Sequence, residues 1–216
     1  MSPKAQGVAN VIRGQVEQQI LTAAEEMFAQ HGYRGASLQS IADKAGLPKA
    51  NILYYMGNKQ ALYVRLLNRM VHRWNTVLDD ISPDSDPAEV LRTFIRTKMR
   101  LGQQYPQGSL LFAAEILSGA PFLRTYITGE LRAWVMSRAE IMRQWSAQGK
   151  MDDIEPQWLI FLIWSATQHY TDYRAQVLGI LDQPTLGDDD IASITYFLEQ
   201  VILKGCGVVS STSSHV

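Results

Sequence analysis

Apolar residues recur along this chain at intervals of three and four, the spacing of one helical face, through nearly its whole length. Nowhere do they settle into the sustained alternation of a half-buried strand. The pattern predicts an all-α protein of about nine helices. A first helix is expected near Gln15 to Gln30, two short ones between Ser37 and Leu62, and a fourth from Lys59 to about Ile81. There Ser82, Pro83, Asp84, Ser85, Asp86 and Pro87 set small polar residues among prolines and impose a turn. Ala88 to Gln104 follows, broken by Tyr105 and Pro106, then Gln107 to Leu117, broken by Gly119, Ala120 and Pro121. Leu123 to Gln148 carries a weak point at Gly129, Gln157 to Leu181 lies beyond the loop Gly149 to Pro156, and Asp188 to Lys204 closes the series. The serine-rich stretch after Gly207 is expected to fray.

Inside Ser37 to Leu62 the two short patterns flank a glycine. Leu38, Ile41 and Ala42 share a face, Gly46 can take the left-handed conformation that stops a helix, and Pro48 restarts the chain with φ already set for a first turn. That layout is a helix-turn-helix. Its second helix, about Lys49 to Tyr55, mixes Lys49, Asn51, Tyr54 and Tyr55, which can reach DNA, with Ile52 and Leu53, which can anchor it. Ser37, Gln39 and Lys59 flank it and join the candidate DNA contacts.

On Ile41, Ala42, Ala45, Gly46, Leu53, Tyr55, Lys59 and Leu62, preceded by ILTAAEEMFAQHGYRGAS with Ala23, Phe28, Gly32 and Tyr33, the stretch Ile20 to Leu67 resembles the DNA-binding domain of the TetR family of transcriptional regulators. Two positions depart from that family: Pro48 stands where a serine commonly caps the recognition helix, and Met56 where an aromatic residue is usual. With that stretch as the reading head, residues 1–60 are expected to form an N-terminal arm and the helix-turn-helix DNA-binding domain, 61–207 a ligand-binding and dimerisation domain, and the serine-rich 208–216 a disordered tail.

Composition then narrows the setting. At 216 residues, 46% hydrophobic and 19% charged, the chain can bury a sizeable core. It has no run of apolar residues long enough for a membrane span and a polar start, so a soluble, cytoplasmic protein is expected. One cysteine, Cys206, excludes an internal disulfide, and scattered His31, His72, His169 and His215 give no metal-ligand spacing; no metal or cofactor is expected. The net charge of −1 hides an asymmetry: residues 1–60 carry six Lys or Arg against four Asp or Glu, and the remainder fourteen against seventeen. A weakly basic head on an acidic body suits DNA binding by a homodimer, which doubles the few phosphate contacts each copy offers.

Candidate chemistry lies where polar residues interrupt apolar faces. Lys98 projects from the stripe Leu91, Phe94, Ile95 and Leu101, and a buried lysine needs a partner; Glu115, in the run LLFAAEIL, is one candidate, and snorkelling to the surface is the alternative. Ile160, Trp164 and Gln168 follow one another by single turns, joining an aromatic face to an amide that can both donate and accept. Trp74 is one turn past Met70 in the helix that leaves the head. Together Trp74, Lys98, Trp164 and Gln168 suit a small planar ligand, while each tryptophan singly suits plain core. The apolar circumference of Trp158 to Trp164, with the stripe Ile191, Ile194, Phe197, Leu198, Val201 and Ile202, suits a four-helix dimer interface or a monomer core.

A narrower resemblance, over Ile20 to Val177 and strongest at IWSATQHY, is to pyrimidine-responsive members of the TetR family. It implies uracil or thymine as effector, with Lys98, Trp164 and Gln168 as contacts and Trp74 beside them. The expected function is thus a homodimeric regulator that reads a palindromic operator and is released or altered by that effector, in control of pyrimidine or nitrogen metabolism. A TetR-type regulator of an aromatic acid, with Lys98 pairing its carboxylate, stands as the alternative, as does an architectural DNA-binding protein without a ligand. No nucleophile elbow, phosphate loop or metal-ligand pair supports an enzyme.

Overall fold

The computed structural model describes residues 3–208, with side chains from Val11 onward. Every regular element among these residues is helical: α1 (Pro3–Gly35), α2 (Leu38–Ala45), α3 (Lys49–Met56), α4 (Lys59–Asn75), a 3-10 turn (Thr76–Leu78), α5 (Pro87–Gln104), α6 (Pro106–Leu117), α7 (Arg124–Tyr126), a π segment (Ile127–Leu131), α8 (Arg132–Ala147), α9 (Pro156–Asp172), α10 (Arg174–Leu181) and α11 (Asp188–Gly205). The all-α expectation holds. The serine-rich tail lies outside the described residues beyond Val208.

Several boundaries differ from those the periodicity suggests. α1 opens a dozen residues before Gln15, because its early turns leave Val11 and Ile12 in solvent and so bear no burial pattern. It kinks at Gly32, whose φ of 66° lies outside helical space and which has open space where a Cβ would sit. The fourth helix stops at Asn75 and tightens into the 3-10 turn instead of running on to Ile81. α7, the π segment and α8 form one continuous winding with an extra residue near Gly129, where a weak point was expected. The span Gln157 to Leu181 is two helices: Tyr173, at φ −106° and ψ 27°, separates α9 from α10.

Packing divides the chain into two compact units. One takes the described residues up to Val71 together with Leu110–Leu123; the other takes His72–Ser109 and the described residues from Arg124 on. In the first, Ile20, Ala24, Phe28, Ile41, Ala42, Ile52, Leu62 and Leu67 are fully buried. An aromatic group of Phe28, Tyr33, Tyr63 and Phe122 joins them, with Tyr33 and Phe122 ring centroids 4.3 Å apart. In the second, Leu91, Phe94 and Ile95 of α5 pack with Met142 and Trp145 of α8, Ile160 and Ile163 of α9, and Ile202 of α11. Trp145 donates its indole N–H to the Ser82 carbonyl at 2.9 Å and Lys150 Nζ donates to that of Pro83 at 2.7 Å, which pins the turn the prolines introduce.

Candidate functional site

The reading head is held by backbone chemistry more than by contacts of its exposed side chains. Ser37 Oγ accepts the Ser40 N–H at 3.0 Å while Ser40 Oγ accepts the Ser37 N–H at 3.0 Å, a reciprocal cap that starts α2. Gly46, at φ 63°, stops the helix, and the Leu47 N–H returns to the Ala42 carbonyl at 3.0 Å. Pro48 caps α3 without any side-chain hydrogen bond, so the missing hydroxyl is a structural fact and not only a departure in sequence.

α3 buries Ile52 and Met56 and leaves Lys49 and Tyr54 exposed, with Asn51 and Tyr55 half-buried. Leu53 does not anchor the helix: it is 45% exposed, because Met56 lies one turn beyond Ile52 and takes the inner face in its place. Of the other candidate DNA contacts, Ser37 is occupied as a cap and Gln39 donates to Asp43 at 2.8 Å. Lys59 Nζ donates to the Arg34 carbonyl at 3.3 Å and lies 4.6 Å from the Tyr33 ring centroid. Among the candidate DNA contacts on α3, Lys49 and Tyr54 are thus the exposed ones.

In the second unit α4 and α5 bring Trp74 and Lys98 together. Lys98 is 5% exposed and its Nζ lies 4.8 Å from the Trp74 ring centroid. Burial pulls the ammonium pKa down to about 7, and the charge of Asp172 on α9 opposes that pull. Asp172 is in turn held above the usual carboxylate range by burial, against a hydrogen bond from Ser109 Oγ at 2.5 Å and the charge of Lys98. The acid acting on Lys98 is therefore Asp172. Glu115, the partner suggested by its setting in an apolar run, is satisfied within its own unit: it accepts the Phe122 N–H at 2.7 Å, the Leu123 N–H at 3.2 Å and the Tyr63 hydroxyl at 3.4 Å. Burial foremost, and then this carboxylate, push the Tyr63 hydroxyl pKa upward.

Trp164 and Gln168 are half-buried on α9 and share a face with Asp172, each one turn from the next. Trp164 Nε1 is buried and has no hydrogen-bond partner among the described residues. α5 and α9 approach closely, and Gly102 permits it: a Cβ there would collide with Thr171 Oγ1. Ser109, Thr171, Asp172 and Gly102 escaped the sequence reading. The single-turn steps from Trp164 through Gln168 to Asp172 were the available signal for the acid; for Gly102 and Ser109 there was none.

A different surface of the same unit is apolar and open. Trp158, 73% exposed, Phe161 and Leu162 on α9, and Tyr196, Phe197 and Val201 on α11, all face solvent in the single chain.

Comparison with known proteins places these features. Residues 20–66 match the profile of bacterial regulatory proteins of the tetR family, and residues 67–209 that of the C-terminal region of YcdC-like proteins. The chain is 37% identical over 187 residues to the HTH-type transcriptional regulator RutR of Escherichia coli strain K12, covering 86% of this chain and 88% of RutR. In fold it is similar to a transcriptional regulator, SCO4942, from Streptomyces coelicolor, with a TM-score of 0.69 and 22% identity over 88% of this chain and 97% of that one. It is also similar to the Bacillus subtilis regulator FadR in complex with stearoyl-CoA, with a TM-score of 0.65 and 19% identity over 87% and 98% of the two chains.

Proposed function

From the premise that this chain belongs to the TetR family of DNA-binding transcriptional regulators, which are not enzymes, we propose that it works as a cytoplasmic homodimer on a palindromic operator, and that a small planar effector of the uracil or thymine kind alters its grip on DNA. The role proposed with it is control of pyrimidine or nitrogen metabolism, a reading that the resemblance at IWSATQHY supports. Two copies of α3 would enter successive major grooves, with Lys49, Asn51, Tyr54 and Tyr55 toward the bases and Ser37, Gln39 and Lys59 nearer the backbone.

The observation that carries the effector reading is the Trp164 indole N–H, buried without an acceptor in the unit that also holds Lys98 over Trp74. A buried donor left unpaired costs about 1–3 kcal/mol, and a ring carbonyl removes that cost on binding. Gln168 on the same helical face can donate and accept, which matches adjacent N–H and C=O groups on a pyrimidine edge. The aromatic surface of α9 and α11 supports the homodimer, since a patch of that kind on a lone copy is unfavourable in water. By linkage, an effector that weakens operator binding is itself bound more weakly by the DNA complex, by the same factor.

Calorimetry of the purified protein with uracil tests the assignment. Saturable heat with a raised melting temperature is expected. Neither heat nor shift at millimolar uracil would sink it.

A further inference from the structure

Resting on the effector reading above, we infer that Asp172, held by Ser109, is the counter-charge of Lys98 in the effector site, so that the site accepts an uncharged ring bearing carbonyl groups and refuses a carboxylate. The residues come from separate elements: Lys98 from α5, Asp172 from α9, and Ser109 from α6, whose hydroxyl donates to Asp172 Oδ1 at 2.5 Å. α4 supplies Trp74 beneath the Lys98 ammonium, 4.8 Å away.

Several charged groups of the elements packed around α5 have partners of their own. Glu199 of α11 is bound by Arg96 at 2.6 Å and faced by Arg92 at 3.6 Å. Arg73 of α4 lies over the Tyr105 ring at 4.4 Å, and His169 of α9 is exposed and stacked on Tyr173 at 5.0 Å. Asp172 is the acid whose charge acts on the buried Lys98.

Lys98 is buried on α5, Asp172 is half-buried on α9, and Gly102, one turn from Lys98, meets Thr171 beside Asp172, so ammonium and carboxylate offset one another across two closely packed helices. A ring carbonyl can accept from Lys98 without changing that balance, whereas a ligand carboxylate adds a second negative charge where water cannot screen it. The alternative raised by the sequence, an aromatic acid paired with Lys98, needs a lysine whose charge is not already answered. A pH signature follows. With its pKa near 7, Lys98 is a charged donor below neutrality and a neutral amine above it, when Asp172 leaves the site negative.

The test compares uracil and benzoate by calorimetry on the full-length wild type, Asp172→Asn and Ser109→Ala from about pH 6 to about pH 8.5, below the ionisation of the uracil ring. Wild-type affinity for uracil should fall on the order of tenfold across that range, with benzoate unbound. Asp172→Asn removes the charge that supports protonated Lys98, so its uracil profile should shift to lower pH, and it should gain benzoate binding near pH 6. Ser109→Ala keeps the carboxylate and should still refuse benzoate. Tight benzoate binding by the wild type, a flat wild-type uracil profile, or an Asp172→Asn protein with the wild-type profile and no benzoate binding each overturns the counter-charge. Failure of the wild type to bind uracil at any pH instead overturns the effector reading. In that case benzoate on Asp172→Asn still judges the counter-charge, by its appearance or absence. Should Asp172→Asn not fold, the wild-type profile decides.

Discussion

A lysine whose pKa is near 7 in the fold and 10.5 in a free chain binds its proton less tightly when folded. The penalty of burying the charge is complete below about pH 7, because both states are then protonated. As pH rises from 7 toward 10.5 the folded protein has shed the proton and the unfolded chain has not, so stability rises, by at most about 1.4 kcal/mol per pH unit. Lys98→Met removes this dependence. In urea titrations without effector, the wild type should therefore gain on Lys98→Met between about pH 7 and about pH 9.5; a constant difference would mean that Lys98 is not buried. Gly102 has a different kind of consequence. Alanine is the better helix former by about 1 kcal/mol, yet its Cβ meets Thr171 Oγ1, and a β-branched side chain in a helix has few rotamers with which to retreat. Gly102→Ala should lose about 1–3 kcal/mol in chemical denaturation, and adding Thr171→Ala should recover most of it. Lys98 was visible in the sequence because it broke an apolar stripe. Gly102 was not, since a glycine inside a helical pattern reads the same whether it faces water or another helix.

The head elements are short, and their ends matter in proportion. α2 has eight residues, and its start rests on the mutual cap of Ser37 and Ser40. Ser37→Ala should cost about 1 kcal/mol and lower the melting temperature by roughly 2–4 °C, a change that effector binding should leave untouched. α3, of equal length, has no such cap at Pro48 and relies on Ile52 and Met56 for attachment. The start of α3 at Pro48 and the Gly46 stop were legible because a proline's fixed φ and a left-handed glycine are local chemistry, whereas the Ser37–Ser40 cap was not read. The break at Tyr173 was not: apolar residues continue through it, no proline or glycine marks it, and the chain there departs from helical geometry only in the assembled fold. The consequence is that Asp172 terminates α9 at the candidate site and is not a mid-helix residue.

For the molecule as a whole, the proposed homodimer would pair through the open apolar surface of α9 and α11. A charge placed at its centre would remain unpaired if a second copy packed there, so Phe161→Glu should turn the dimer into a monomer in analytical ultracentrifugation while leaving helical circular dichroism intact. Such a monomer should also lose operator affinity steeply, because one head makes half the phosphate and groove contacts. A Phe161→Glu protein that sediments as the wild type would remove this surface from the interface. What the chain's own order of residues determined was the helical class, the helix-turn-helix, most breaks between elements, and the four polar or aromatic positions set into apolar faces. These are properties of neighbours within a few residues, where a period of 3.6 and the geometry of Gly and Pro act directly. Only the tertiary structure decided that Asp172 and not Glu115 acts on Lys98, that Ser109 holds that acid, that Leu53 is outside and Met56 inside, and that Gly102 lets α5 reach α9. Charge partners far apart in the chain are chosen by which helices pack together and how closely, and helical spacing determines only which residues of one helix share a side.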